Sequence, residues 1–413
     1  MNLNFREGIG IDSPKDSFFV DENLMKLKLN NDKIDAECIV IGGNHHNTLG
    51  VVRSLGYKGV NSHLVLVTDN SQPYVRYSTY VHQFVILTAA NEIVDYLLKI
   101  KDVNKKSVVI SCADFVTAVL DSHQDELSSY YYLPVGKGNI EQIMSKDKMA
   151  KIANEFGILT PSIISLDRVR FDKNQRFIFK PLKSIEGSKS DIAVVSNSQE
   201  LQHYLESSHC GNLQIQEFIE KDIEFQLIGC SLNAGETVII PGVSIILRQP
   251  KNTNTGFLKY IEFQEFDYNG INECKQFIKA IGYSGLFSME FLRGKDGKDY
   301  FMEINMRNDG NSICVTAAGV NLPYIWYSHC IGTESWRDEA TNSIRNIIVM
   351  PEFDDFVNVL KRNISLWQWF KDIRRTDHFM EYDKTDKRPF FIGLRQQFFN
   401  YGKLILFKLH IIK

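Results

Sequence analysis

The feature that most constrains this chain is a change of rhythm partway along it. Between residues 36 and 120, apolar runs alternate with helix-like segments: "ECIVIGG", a helix over 48–56, "HLVLVTD", "FVILTA", a helix over 91–101 and "SVVISCAD". Strands separated by helices are joined by crossovers, so this part reads as a parallel sheet with covering helices. Residues 141–156 carry apolar positions at Ile143, Met149, Ile152, Ala153 and Phe156, which suits an amphipathic helix stopped by Gly157 and Pro161. After that the rhythm becomes antiparallel. Strands are expected at 176–181, 191–196, 213–219, 223–232 and 237–243, and a helix near 270–281. Two more strands, "GLFSMEFLR" and "DYFMEINMR", are joined by the turn signal "GKDG". This central part is α+β and distinct from the first.

The first strand runs into "VIGGNHHNTLG", a strand–turn–helix signal with glycines where phosphate often sits. Gly42, Gly43 and Gly50 do not have the G-x-G-x-x-G spacing, so an NAD-linked oxidoreductase is disfavoured. His45 and His46 are neighbours in a tight turn and are expected to point apart. One then serves structure, the other is exposed, and a shared metal is not expected.

Bulk properties exclude several classes. The 413 residues allow two or three domains, and a formal net charge of −3 asks for no nucleic-acid partner. Seven scattered cysteines without a C-x-x-C pair argue against a disulfide framework or zinc ribbon and suit a reducing cytoplasm. The N-terminus has no signal-peptide pattern, and no stretch is apolar enough to span a bilayer. Residues 361–413 mix aromatic and basic residues. They read either as helices docked on the body or as a peripheral contact with the inner face of a membrane.

Chemistry concentrates in "SMEFLRGKDGKDYFMEINMR". A hairpin sets Glu290 on one strand and Glu303 and Asn305 on the next. Glu303 and Asn305 are two apart and so share a face. Two carboxylates and an amide oxygen suit Mg²⁺ held together with phosphates, and Arg307, of the same parity, can grip a phosphoryl oxygen. An exposed hairpin with ordinary surface acids is the bland alternative, but apolar Met302, Ile304 and Met306 give the opposite face a core to cover. Upstream, Lys180 ends a strand and precedes a loop with Gly187 and Ser188 that can fold over phosphates. Glu217, Phe218 and Ile219 can offer backbone groups to an adenine edge, and Glu224 can accept from a ribose. Each of these is weak alone.

Together, in this order, the pieces resemble the ATP-grasp superfamily over residues 36–335. Within it the chain is similar to carboxylate–amine ligases of the D-aspartate ligase type. The resemblance rests on "GNHHNTLGVVRSLG", "RYSTYVHQFV", "VVISCADF" and "YSGLFSMEFLRGKDGKDYFMEINMRNDGNSICVTAAGVNL". It implies an N-terminal Rossmann-like pre-ATP-grasp domain (1–125), a linker helix and lid (126–215), a C-terminal ATP-grasp lobe (216–340) and an aromatic/basic extension (341–413). It implies ATP with Mg²⁺, or Mn²⁺, as cofactors. Lys146 and Lys180 would lie on the phosphates, with Lys148 a rival for Lys146. Glu217 and Ile219 would lie at the adenine, Glu224 at the ribose, and Glu290, Glu303 and Asn305 on the metal. Where relatives of this type carry a further arginine after E-I-N-x-R, this chain has "NDGNS", so the acid is not fixed as D-aspartate.

Such ligases phosphorylate a carboxylate and let an amine attack the acyl phosphate. The task is one of positioning and charge neutralisation, with Arg307 and Lys180 as catalytic candidates and a lid over 160–215 to exclude water. The substrates implied are a small carboxylate and an amine, the latter on a cell-envelope precursor, and a homodimer is compatible. In open α/β sheets ligands sit at the carboxyl ends of the strands. There Asn44, His45, Asn47 and the helix start can meet a carboxylate, Asp114 an ammonium group, and Arg76 and Ser78 can assist. A non-catalytic ATP-binding module is the competing reading, and a biotin-dependent carboxylase is disfavoured for want of a fused carrier domain.

Overall fold

A computed structural model describes residues 38–136, 140–143, 145–171, 175–181, 192–207, 213–249 and 255–408. The first unit is a parallel five-stranded sheet, built from β1 (Cys38–Gly42), α1 (His46–Gly56), β2 (Ser62–Val67), β3 (Val81–Leu87), α2 (Glu92–Ile100), β4 (Ser107–Ser111), α3 (Asp114–Ser122) and β5 (Tyr131–Tyr132). Its order is β3-β2-β1-β4-β5, with β1 central between β2 and β4. The carboxyl ends of β1 and β4 therefore lie side by side, where an open sheet receives ligands.

A helix, α4 (Lys146–Glu155), leads to a small antiparallel sheet of β6 (Phe177–Pro181), β7 (Ala193–Val195) and β8 (Leu213–Glu217), ordered β7-β6-β8, with α5 (Ser198–Ser207) beside it. Its core is small: Val169, Phe177, Phe179, Val195 and Ile215.

The largest sheet comprises β9 (Lys221–Leu232), β10 (Thr237–Ile239), β11 (Val243–Arg248), β12 (Phe257–Ile261), β13 (Gly285–Gly294), β14 (Asp299–Asn305), β15 (Ile347–Met350) and β16 (His378–Phe379), ordered β14-β13-β9-β11-β12-β15-β16 with β10 beside β9. Helix α6 (Ile271–Ile281) packs on one face through Cys274, Phe277, Ile278 and Ile281, together with α4, Phe225, Phe291 and Phe301. On the other face lie α7 (Ile313–Ala318) and α8 (Leu322–Cys330), which share one core with α1 and the first sheet. The tail forms α9 (Glu352–Leu360), α10 (Leu366–Arg375) and α11 (Arg388–Lys408).

The segment expected as one strand over 237–243 is two, β10 and β11, and β12 and β15 were not foreseen. The expected helix over 141–156 is a short turn of helix at Ile140–Ile143 followed by α4.

Two of the three glycines of the opening motif serve packing, while Gly43 faces open space. A Cβ on Gly42 would meet Thr48 Oγ1 at 2.4 Å and Cys112 Cβ at 2.7 Å, and one on Gly50 would lie 3.3 Å from the Cβ of Ile313. Gly50 and Ser54, one turn apart on α1, let α7 approach closely, and Ser54 Oγ meets Thr316 Oγ1 at 2.9 Å. The six cysteines among the described residues are free thiols. Among the described residues, no helix is long and apolar enough to cross a membrane.

Candidate functional site

The site grows from the register of three neighbouring strands. Glu290 on β13 pairs with Glu303 on β14 and with Gln226 on β9, while Ser288 pairs with Asn305. Along β9, Glu224 and Gln226 share a face by the two-residue alternation of a strand. One face of the sheet thus collects Glu224, Gln226, Ser288, Glu290, Glu303 and Asn305. The other face is core: Phe225, Leu227, Met289, Phe291, Phe301, Ile304 and Met306 are all buried. A bulge makes this possible, because Phe291 pairs with Phe301 while Glu290 pairs with Glu303, leaving Met302 without a partner. Met302 was expected in the core and is only half-buried.

Hydrogen bonds join the cluster. Asn305 Nδ2 donates to Glu290 Oε1 at 2.9 Å, and Gln226 Nε2 donates to the same oxygen at 3.3 Å. Asn311 Nδ2 donates to Gln226 Oε1 at 2.8 Å. The Glu290 carboxyl is held well above its usual range by desolvation, and then by the charges of Glu303, Asp309 and Glu224. Acids crowded this way, with both Glu290 and Glu303 on one face, form a donor set suited to a hard divalent cation. As arranged here, the Asn305 oxygen accepts from Arg307 Nη2 at 3.2 Å and its NH₂ faces Glu290.

Arg307 is nearly inaccessible and fully engaged. Its Nε lies 3.0 Å from Asp114 Oδ1, its Nη2 3.3 Å from Asp114 Oδ2, and its Nη1 3.2 Å from both Asp309 Oδ2 and the Asn308 carbonyl. Burial works against its charge, but Asp114 and Asp309 outweigh that and keep its pKa above the usual range. The expected phosphoryl-gripping arginine and the expected ammonium-binding Asp114 are therefore partners of each other. Their bond ties the end of β14 to the start of α3, so the large sheet meets the ligand end of the first sheet here.

Asp309 was missed by sequence reasoning. It is 1% exposed, accepts from Ser288 Oγ at 3.1 Å and from the Asn311 backbone at 2.9 Å, and holds Arg307. Asn308 was missed too. Asn47 Nδ2 donates to the carbonyls of Cys112 and Asn308, both at 2.9 Å, and Asn308 Nδ2 donates back to Asn47 Oδ1. The run Asn305–Ser312, buried apart from a half-buried Gly310, was readable as an unusually polar stretch directly after a strand.

The opening turn lies against this loop. His45 caps α1, its Nδ1 accepting from Asn47 N at 3.2 Å. His46 is buried, with Nδ1 3.1 Å from Glu381 Oε1 and Nε2 3.1 Å from Thr255 Oγ1, while His45 is half-exposed. Contrary to the expectation from their adjacency, the two rings do not point apart. Their centroids are 3.8 Å apart, and with Asp354 they bring three donor atoms within 4.8 Å of one another. An extended cap residue followed by the first helical residue swings both rings to one side. The cap uses the Nδ1 lone pair of His45, which assigns the proton to Nε2, the atom facing Asp354 at 4.0 Å. A metal at that atom would have to break the cap.

The remaining candidates have local partners. Asn44 Oδ1 accepts from Val75 N at 3.3 Å. Arg76 donates to the Ser71 carbonyl, Gln72 and Tyr77, and its guanidinium lies over the Tyr77 and Phe84 rings. Ser78 Oγ donates to Asp386 Oδ2 at 2.7 Å. Glu224 Oε2 pairs with Lys221 Nζ at 3.0 Å. Where the small sheet meets the large one, Glu217 N donates to the Ser162 carbonyl and Phe218 N to the Arg176 carbonyl, both at 3.0 Å. Among the described residues Ile219 N has no hydrogen bond. Lys146 opens α4 and Lys180 lies in β6; Lys148, two residues further along α4, is exposed. Gly187 and Ser188 lie outside the described residues.

Comparison with known proteins agrees with this architecture. Residues 244–352 match a family model described as ATP-grasp in the biosynthetic pathway with Ter operon. Over 316 residues the chain is 22% identical to the D-aspartate ligase of Enterococcus faecium strain Aus0004, covering 68% of this chain and 74% of that protein. The fold is similar to that of the L-amino acid ligase from Bacillus licheniformis, with TM-score 0.55 and 14% identity, covering 75% of this chain and 78% of that one. It is also similar to the biotin carboxylase domain dimer of Hydrogenobacter thermophilus 2-oxoglutarate carboxylase, bound to MgADP, ADP and bicarbonate, with TM-score 0.54 and 16% identity over 75% of this chain and 71% of that one. The chain therefore has the ATP-grasp fold, and it resembles the carboxylate–amine ligases of that superfamily that are of the D-aspartate ligase type.

Proposed function

We propose that this protein is an ATP-dependent ligase that joins a carboxylate to an amine, with release of ADP and phosphate. The observation that carries the reading is the polar sheet face with Glu290, Glu303, Asn305 and Gln226, continued by Arg307 into the ligand end of a parallel sheet. In this reading the five-stranded unit is the substrate side, the three-stranded sheet the lid, and the eight-stranded sheet the ATP-grasp core.

Glu290 and Glu303 would hold Mg²⁺ or Mn²⁺ beside Asn305, and the ion would neutralise phosphate oxygens and draw charge from the transferring group. Lys180 and Lys146 would meet the phosphates, the Ile219 amide the adenine edge, and Glu224 the ribose after releasing Lys221. Arg307, fixed by Asp114 and Asp309, supplies a preorganised positive charge at the junction where acid and phosphate must meet. Because its donors are already engaged, it acts as an electrostatic anchor, and one of its carboxylate partners yields if it binds the acyl phosphate directly. Asn47 and the start of α1 would orient the carboxylate substrate, an amino acid being the class that the D-aspartate ligase likeness favours. The amine would belong to a cell-envelope precursor.

The test is a panel of amino acids and small carboxylates with amine acceptors, scored by ADP formation and product mass. ADP formation that requires a divalent cation, an acid and an amine is expected. No such turnover across the panel, or wild-type turnover in Glu303→Ala, overturns the reading.

A further inference from the structure

We propose that α10 and α11 form a docking surface for an anionic lipid bilayer. Both helices are anchored inward on neighbouring positions of α9. Trp369 of α10 packs edge-on against Phe356, centroids 5.0 Å apart, and Phe390 of α11 stacks on Phe353 at 5.4 Å. Asp372 of α10 is fully buried and accepts from Arg248 Nη1 at 2.8 Å. These contacts fix which faces turn outward.

The outward face of α10 carries Leu366, Trp367, Phe370, Lys371 and Arg374, spaced for one side of a helix and all exposed, Trp367 by 64%. On α11 the residues Arg388, Phe391, Arg395 and Phe398 fall at i, i+3, i+7 and i+10 and are all exposed, with Phe391 at 59% and Phe398 at 69%. Phe370 and Phe391 touch the inward rings Trp369 and Phe390 at their edges, but most of the aromatic surface of these stripes lies open beside cations. They match side chains that sit at the headgroup level, rings inserted and charges on phosphates.

Charge selects the occupant. Residues 361–375 hold five basic residues and one acid, Asp372, which is buried and paired. From Lys387 to Lys413 there are six basic residues and no acid. Two copies of such a face repel each other, so the complement is anionic. Separate aromatic stripes on two helices suit an extended anionic sheet of headgroups. The proposal does not depend on the ligase reading.

The full-length protein is mixed with vesicles of phosphatidylcholine alone and of phosphatidylcholine with phosphatidylglycerol, and binding is read by flotation and by the blue shift of tryptophan emission. Binding is expected only with phosphatidylglycerol and should weaken in about 0.5 M salt. The double variants Trp367→Ser with Phe370→Ser, and Arg388→Glu with Arg395→Glu, are each expected to lose about tenfold or more in binding at an unchanged melting temperature. Failure of the wild type to bind anionic vesicles, or equal binding by the variants, overturns the proposal. So does a concentration-dependent dimer that the same substitutions dissolve, which would make this face an interface between copies.

Discussion

At the scale of single residues, the junction is governed by how buried charges are compensated. Arg307 sits between Asp114 and Asp309 with every contact at 3.0–3.3 Å. Removing its charge leaves two carboxylates unpaired, so Arg307→Met is expected to lower stability by about 3–5 kcal/mol, measured by urea unfolding. Arg307→Lys keeps a charge but not the planar fork; it should fold with a smaller loss and still lower ADP formation by about a hundredfold. A charge that served only folding would leave turnover of the lysine variant near wild type. Glu303→Gln works in the opposite sense. It removes one member of a mutually repelling acid cluster, so its melting temperature should match or exceed the wild type while divalent-dependent ADP formation is lost. A parallel loss of both would mean that Glu303 is structural. The grouping of Glu290, Glu303 and Asn305 was legible because strand alternation and hairpin register are local rules. The pairing of Arg307 with Asp114 was not, since 193 residues separate them and no pattern in either segment names the other.

At the scale of elements, the close approach of α1 and α7 joins the first sheet to the eight-stranded sheet. A Cβ at Gly50 would lie 3.3 Å from the Cβ of Ile313, a gap the neighbour can widen by a few tenths of an ångström. Gly50→Ala is therefore expected to be near neutral, with a helix-propensity gain of about 1 kcal/mol offsetting the squeeze. Gly50→Leu has no room and should cost about 1–3 kcal/mol, read as a lowered unfolding midpoint. Equal behaviour of the two variants would mean that the helices are not in firm contact. The helix itself was legible, but its role was not. A glycine after a strand reads as a phosphate turn, and only tertiary packing reveals that Gly50 faces another helix. The strands that escaped notice have the same cause. Phe257–Ile261 and Ile347–Met350 are short, and both are set by pairing partners distant in sequence: β12 lies between β11 and β15. Short apolar runs of that length fit helix or strand equally well until a neighbour decides.

At the scale of the whole molecule, the tail is stitched into the first unit, so the two ends of the described chain act together. Arg53 of α1, 1% exposed, donates to Asp386 Oδ2 at 3.0 Å and to the carbonyls of Met380, Glu381 and Asp386. Asp386 also accepts from Ser78, and Glu381 faces His46. Glu381 titrates in this seam beside Glu352, whose carboxyl pKa burial also raises, and His46, whose pKa burial lowers. Burial, offset in part by hydrogen bonds and by Arg53, raises the pKa of Glu381 from 4.5 to about 7. In the unfolded chain it ionises near its ordinary value. Between those two values the folded state holds a proton that the unfolded state has released, so the contribution of Glu381 to stability falls as pH rises through this window and levels off above it. The shift corresponds to a penalty on the order of 3 kcal/mol at high pH. Glu381→Gln keeps an acceptor for His46 and cannot ionise, so it should remove the share of the slope that Glu381 contributes. Urea midpoints of the two proteins are expected to lie closest at about pH 5 and to diverge toward about pH 8, the variant being the more stable there. A constant offset across the range would mean that Glu381 ionises in the folded state at its ordinary value, as in the unfolded chain, and that the seam between turn and tail does not respond to pH through this carboxyl.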